Sequence, residues 1–150
     1  MRTEKILALD IATVTGWASD GFSGTWNLKP ARDESAGFAL LRLRAKLEEA
    51  IKLTGATIVV FERPAGIHKA SIISQSEKHG ITKAFCEENN IPYRAYSAKE
   101  IKKFITGNGN ASKQAVIDAV NKKYNLSIAD DNEADAIALY HLAVEDLKLK

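Results

Sequence analysis

Two acids each close a short apolar run: Asp10 follows Ile6-Leu7-Ala8-Leu9, and Glu62 follows Thr57-Ile58-Val59-Val60-Phe61. Such runs, without alternating polarity, fit strands buried on both faces. A carboxylate at the end of a strand can hold a metal ion or face a phosphate. It can also cap the following turn, and for Asp10 alone capping is the more ordinary role. Two strands that deliver an acid at the same end shift the balance, because clustered acids are costly to bury unless a cation compensates them. A third acid, Asp135, lies a full turn inside a helical pattern that starts near Asp130. It shares a face with Ala138, Leu139 and Leu142, which should pack on the sheet. Small Ala134, Ala136 and Ala138 allow close approach, so Asp135 can reach the edge that holds Asp10 and Glu62. Asn132 and Asp131, three and four residues earlier, point roughly the same way. Asp130 and Glu133 have capping-box spacing, which accounts for them structurally.

The chemistry these types suit is phosphodiester hydrolysis, which needs an activated water, an in-line leaving oxygen and neutralisation of the phosphate. Two Mg²⁺ ions ~4 Å apart supply all three, and hard cations prefer carboxylate oxygens. No His-rich or Cys-rich zinc pattern competes, and no Ser/His/Asp grouping is evident.

The elements that must position these acids follow from periodicity. After the first strand, 15–19 and 22–28 predict a hairpin around Ser19-Asp20-Gly21. A helix is expected over 34–53, ended by Gly55, then the strand 57–61, a helix over 69–88 and a strand over 91–95. Ser97 and Glu100 form a capping box opening a short helix that ends near Gly107. Ser112 caps a helix through Tyr124, and the last helix runs from near Asp130 to near Leu147. This order implies an α/β fold with a mixed five-stranded sheet: the first three strands antiparallel, the last two parallel, and helices covering it. The parallel partners of the first strand should be the strands ending at Glu62 and Ala95, which brings Asp10 and Glu62 to one edge.

Composition bounds the class. With 150 residues, 45% apolar and 27% charged, the chain reads as one domain with a real core. No apolar run approaches the ~20 residues that span a bilayer, and no signal-peptide pattern is present, so a cytoplasmic protein with no membrane partner is expected. The lone Cys86 excludes an intrachain disulfide framework and falls in a helical pattern, as a packed thiol would. Net charge is +2 but unevenly spread. Residues 93–125 carry seven bases, Lys102, Lys103 and Lys113 among them, against two acids; 126–147 carry six acids and no Lys or Arg. A basic stretch beside an acidic knot suits a nuclease, although solvated helix faces give a similar census.

These residues carry a resemblance. The chain resembles RuvC-type Holliday junction resolvases of the ribonuclease H-like superfamily, most closely their phage-carried branch. The matching stretches are Ile6-Leu7-Ala8-Leu9-Asp10 with Gly16-Trp17-Ala18, Val59-Val60-Phe61-Glu62, Thr106-Gly107-Asn108-Gly109-Asn110-Ala111-Ser112-Lys113-Gln114, and Glu133-Ala134-Asp135-Ala136-Ile137-Ala138. They span nearly the whole chain in the family order. The resemblance implies a homodimer that binds a four-way DNA junction and makes paired nicks with Mg²⁺, for which Mn²⁺ should substitute. It implies metal-binding roles for Asp10, Glu62 and Asp135, and roles in DNA contact and catalysis for Lys102 and Lys113.

Two positions depart from the family pattern. Its fourth acid falls on Asn132 here, a position where relatives vary; Asn132 would offer a neutral amide oxygen, with Asp131 the alternative ligand. The family's aromatic wedge after the strand-end glutamate is missing, since residues 63–68 offer only Ile67 and His68. The 69–88 helix is the expected dimer interface, through Ile72, Ile73, His79 and Ile81. Rival readings are a related nuclease for RNA/DNA hybrids, flaps or forks, and a junction-binding protein without catalysis. Asp10-Ile11-Ala12-Thr13 also resembles the phosphate loop of sugar kinases and actin-like ATPases, but those enclose the nucleotide with a second domain for which 150 residues leave no room.

Overall fold

The first strand is buried on both faces because each face has its own helical cover. In this computed structural model, which describes residues 4–64 and 69–148 (backbone only at 69–71), the strands are β1 (Ile6–Asp10), β2 (Val14–Ser19), β3 (Phe22–Asn27), β4 (Ile58–Glu62) and β5 (Tyr93–Tyr96). The helices are α1 (Gly37–Thr54), α2 (Lys69–Glu88), α3 (Ala98–Thr106), α4 (Lys113–Tyr124) and α5 (Asp131–Lys148). The sheet order is β3-β2-β1-β4-β5, antiparallel in β1–β2 and β2–β3, parallel in β1–β4 and β4–β5. The parallel neighbour of β1 is therefore β4 alone, and β5 lies one strand further out as an edge.

Alternation along the strands divides the core in two. Ile6, Ala8, Ile58 and Val60 pack with residues of α3, α4 and α5. Leu7, Leu9, Val59 and Phe61 pack with residues of α1 and α2. Leu7, Leu9, Val59 and Val60 are fully buried, which is why these stretches read as continuous apolar runs. Cys86 is buried in the second cluster, and burial pushes its thiol up to about 11, so it packs as an inert thiol. Among the described residues no helix is long and apolar enough to cross a membrane.

Several boundaries differ from expectation for local reasons. The helix expected from Glu34 starts at Gly37, because Glu34 accepts from the Ala31 N–H and from Arg42, holding 31–34 in a turn. The strand expected from Ile91 starts at Tyr93: Asn90 turns the chain at φ 55°, and the Ile91 N–H still bonds back to the Cys86 carbonyl. The capping box at Ser97 and Glu100 forms fully, and Ser112 caps α4 as expected. At α5 only half the expected box forms. Asp130 accepts from the Glu133 N–H, whereas the Glu133 carboxylate accepts from Ser23 on β3.

Candidate active site

Strand register assembles the site. Leu9 is paired with Phe61 across the parallel β1–β4 ladder, so Asp10 and Glu62 leave the sheet as neighbours. Alternation sets Asp10 on the face of Ile6 and Ala8, and Glu62 on that of Ile58 and Val60, the side covered by α5. Asp10 does not serve as the turn cap. Thr15 closes that turn, its hydroxyl donating to the Ala12 carbonyl (2.7 Å) and accepting from the Ala12 N–H (3.3 Å). The Asp10 carboxylate is thereby left for other work.

The third acid arrives because of a glycine. Gly16 is registered opposite Asp10, and a Cβ built there would lie 1.9 Å from the Asn132 carbonyl oxygen and 2.8 Å from the Glu133 nitrogen. The first turn of α5 thus rests directly on the β2 backbone, one helical turn before Asp135. One ligand oxygen from each of Asp10, Glu62 and Asp135 lies within 4.8 Å of the others.

Burial and then mutual repulsion make the three acids hold their protons more tightly than free carboxyls do. Burial and then the charges of Asp135 and Glu62 push the Asp10 carboxyl well above the usual range. Burial, followed by the Asp135 charge, raises Glu62 to about 7, with Lys102 pulling the other way. Burial and the Asp131 charge raise Asp135 to about 6, against a hydrogen bond from Asp10 and the charges of Lys102 and Lys113. A set of converging carboxylates that repel one another when ionised fits a hard divalent cation. Such a cation supplies Lewis acidity toward phosphoryl oxygen and lowers the pKa of water.

A pH dependence follows. These acids bind protons more tightly folded than unfolded, so their contribution to stability is largest below the unfolded carboxylate range, about 4. It is lost as pH rises through about 6 and about 7. In chelator, the Tm of the wild type should therefore fall more between pH 5 and 7.5 than that of Glu62→Gln, and millimolar Mg²⁺ should reverse the fall. Parallel Tm–pH curves for the two proteins would refute the coupling.

The remaining sequence candidates lie around this cluster. Lys102 on α3 is half-buried and acts electrostatically on both Glu62 and Asp135. Lys103 is exposed on the same helix and does not figure among the charges acting on the three acids. Lys113 opens α4, and its Nζ lies 3.3 Å from Asp131 Oδ2. Asp131 stands outside the three-acid cluster, although its charge acts on Asp10 and Asp135. Asn132 is half-buried in the first turn of α5. Sequence reasoning missed the service of Gly16 to α5 and the Lys113–Asp131 pair. The signal for the first was a glycine soon after the turn that follows Asp10; the second joins two elements distant in sequence, and no local pattern announces it.

One interface expectation needs correction. His79 is 3% exposed, packs edge-on against Phe61 at 5.1 Å, and is pushed down to about 4 by burial, so it belongs to the core and cannot meet a partner. Ile81 is half-buried against the same core, while Ile72 and Ile73 are exposed. Ile67 and His68, the residues at the wedge position, lie outside the described residues.

A mixed sheet in the order β3-β2-β1-β4-β5, helices on both faces, and acids from β1, β4 and α5 meeting at one edge define a ribonuclease H-like fold. Residues 34–143 match the family model for crossover junction endodeoxyribonuclease RuvC, and the chain belongs to the RuvC family. It is 40% identical over 67 residues to the crossover junction endodeoxyribonuclease RuvC of Brachyspira hyodysenteriae, covering 45% of this chain and 42% of the relative. It is 39% identical over 79 residues to that of Pseudothermotoga lettingae, covering 50% and 49%. The matched stretches span about half the length of these relatives. The fold is similar to that of Thermus thermophilus RuvC in complex with Holliday junction substrate, with a TM-score of 0.79, 18% identity, and 98% and 96% of the two chains covered.

Proposed function

We propose that this chain is a Mg²⁺-dependent endonuclease that resolves four-way DNA junctions by paired nicks. The observation that carries the reading is the meeting of Asp10, Glu62 and Asp135 at one sheet edge, on a chain of the RuvC family. In this reading residues 1–150 act as one nuclease unit in the cytoplasm. Asp10, Glu62 and Asp135 hold the metal, and Asn132 adds a neutral amide oxygen at the fourth position. Lys113 and Lys102 offset charge on the attacked phosphate, and Lys102, Lys103 and Lys113 contribute to DNA contact. Asp131 pairs with Lys113 rather than with the metal. Paired nicks require two sites facing two strands, so the working form is a homodimer with two-fold symmetry.

The test is nicking of labelled four-way junction, fork, flap and RNA/DNA hybrid substrates in Mg²⁺, in Mn²⁺ and in chelator, with sedimentation of the free and junction-bound protein. The expected result is symmetric, metal-dependent cutting of the junction by a dimer. Preference for another branched substrate or a hybrid would favour a related nuclease. Junction binding without cutting in either metal would make the chain a binding protein.

A further inference from the structure

Lysine is almost never fully buried without a partner for its charge, yet Lys78 on α2 is 5% exposed. Its ammonium has a single hydrogen-bond partner, the Ser74 hydroxyl at 2.7 Å, and no carboxylate within ion-pairing distance among the described residues. Of its three N–H donors, two therefore have no acceptor among the described residues. Burial pulls its pKa below the ordinary lysine value, partly offset by the charge of Glu77. A cavity of about 400 Å³ adjoins it, lined by Lys78, Ser74, Thr13 and Glu77 with apolar walls from Pro30 and Leu40.

The cavity adjoins the loop that follows Asp10. Thr13 follows Asp10 by three residues, a chain reach of at most about 11 Å. Gln75 of α2 also donates to the Ile11 carbonyl (3.2 Å), which fixes this part of the helix against the same loop. A DNA strand offers one phosphate per ~3.4 Å of helix axis, so a strand at the acids carries further phosphates within that reach.

We infer that Lys78, Ser74 and Thr13 form an anion site that takes a backbone phosphate of the DNA strand, one to three nucleotides from the one being cut. A buried ammonium with spare donors and two neighbouring hydroxyls is the donor set that phosphate oxygens accept. Glu77, exposed at the rim, keeps the ammonium protonated and opposes a freely diffusing anion. The occupant is therefore a phosphate delivered by DNA held elsewhere. This inference rests on the reading of the chain as a junction nuclease and extends its DNA contacts to the α2 side of the sheet.

The experiment is junction binding by the intact protein in chelator across a salt series, comparing the wild type with Lys78→Met and Ser74→Ala. Lys78→Met should flatten the dependence of log K on log salt by about 0.9 per occupied site, so that each lost contact narrows the fall in affinity between 50 and 200 mM salt about 3.5-fold. Its Tm without DNA should equal or exceed that of the wild type, because an under-partnered buried charge has been removed. Ser74→Ala keeps the charge and should leave the slope intact while weakening binding a few-fold. An unchanged slope in Lys78→Met overturns the inference, as does a Tm drop or failure to fold, which would mark a structural lysine. Stabilisation by inorganic phosphate that disappears in Lys78→Met while the junction slope stays unchanged would assign the site to free anions instead. Failure of the wild type to bind the junction at all would remove the nuclease reading itself.

Discussion

Asp10→Asn, Glu62→Gln and Asp135→Asn should each lower the single-turnover nicking rate by ~10³-fold or more, while junction affinity in chelator stays within a few-fold of wild type. Each substitution preserves size and removes one charge from a set whose ligand oxygens lie within 4.8 Å of one another. Affinity should survive, because it comes mainly from bases on phosphates, and removing an acid beside the DNA does not weaken those contacts. Folding should survive too. The wild-type cluster is strained by burial and then by like charge, with Glu62 raised to about 7 and Asp135 to about 6. Glu62→Gln should consequently raise the metal-free Tm at pH 7.5 by a few degrees. Loss of nicking together with a gain in metal-free stability separates a catalytic acid from a structural one. A variant of any of the three that cuts at near wild-type rate removes that residue from the set. In the same series, Asn132→Asp should lower the Mg²⁺ concentration for half-maximal nicking and Asn132→Ala should raise it, with Asp131→Asn changing little. The reverse pattern would move the fourth ligand to Asp131.

The acids were legible because each is announced by its own element. Asp10 and Glu62 end apolar runs, and those runs are continuous because Leu7 and Leu9 face one helical layer while Ile6 and Ala8 face the other. Asp135 was legible as an acid on the face of Ala138, Leu139 and Leu142, of which the first two are buried and Leu142 packs partly buried against the same core. Sheet order was readable up to the position of β5, since a parallel crossover constrains direction more tightly than adjacency. Most other contacts between elements distant in sequence were not readable. The Glu133 carboxylate leaves its expected cap for Ser23, 110 residues away. His79 occupies a core position facing Phe61 although the residue type suggested a surface. No local pattern marks Lys78 as a buried lysine, and only tertiary packing buries it. Local pattern reports what a residue could do; the partner it meets is set by the register of elements that the pattern does not order.

The second large effect is expected at a residue with no functional group. Gly16→Ala should reduce nicking about 10²-fold and destabilise the protein by roughly 1–3 kcal/mol, with junction binding largely retained. The added methyl would stand 1.9 Å from the Asn132 carbonyl oxygen and 2.3 Å from its carbon, both backbone atoms of the first turn of α5. No side-chain rotation relieves that contact. The helix must move by about 1 Å or more to reach ordinary van der Waals separation, and Asp135 moves with it. Metal ligation tolerates little of this, because the three acids come from β1, β4 and α5 and only α5 would shift. Gly24 supplies the control. A methyl there would meet Trp17 Nε1 at 2.9 Å, a side-chain atom on the β2–β3 pair that can yield without disturbing α5. Gly24→Ala should therefore leave the nicking rate within about threefold of wild type, whatever it does to Tm. Single-turnover rates and denaturation curves on both variants decide the matter. If Gly16→Ala lowers stability but cuts normally, the approach of α5 to β2 holds the fold together without setting the position of Asp135.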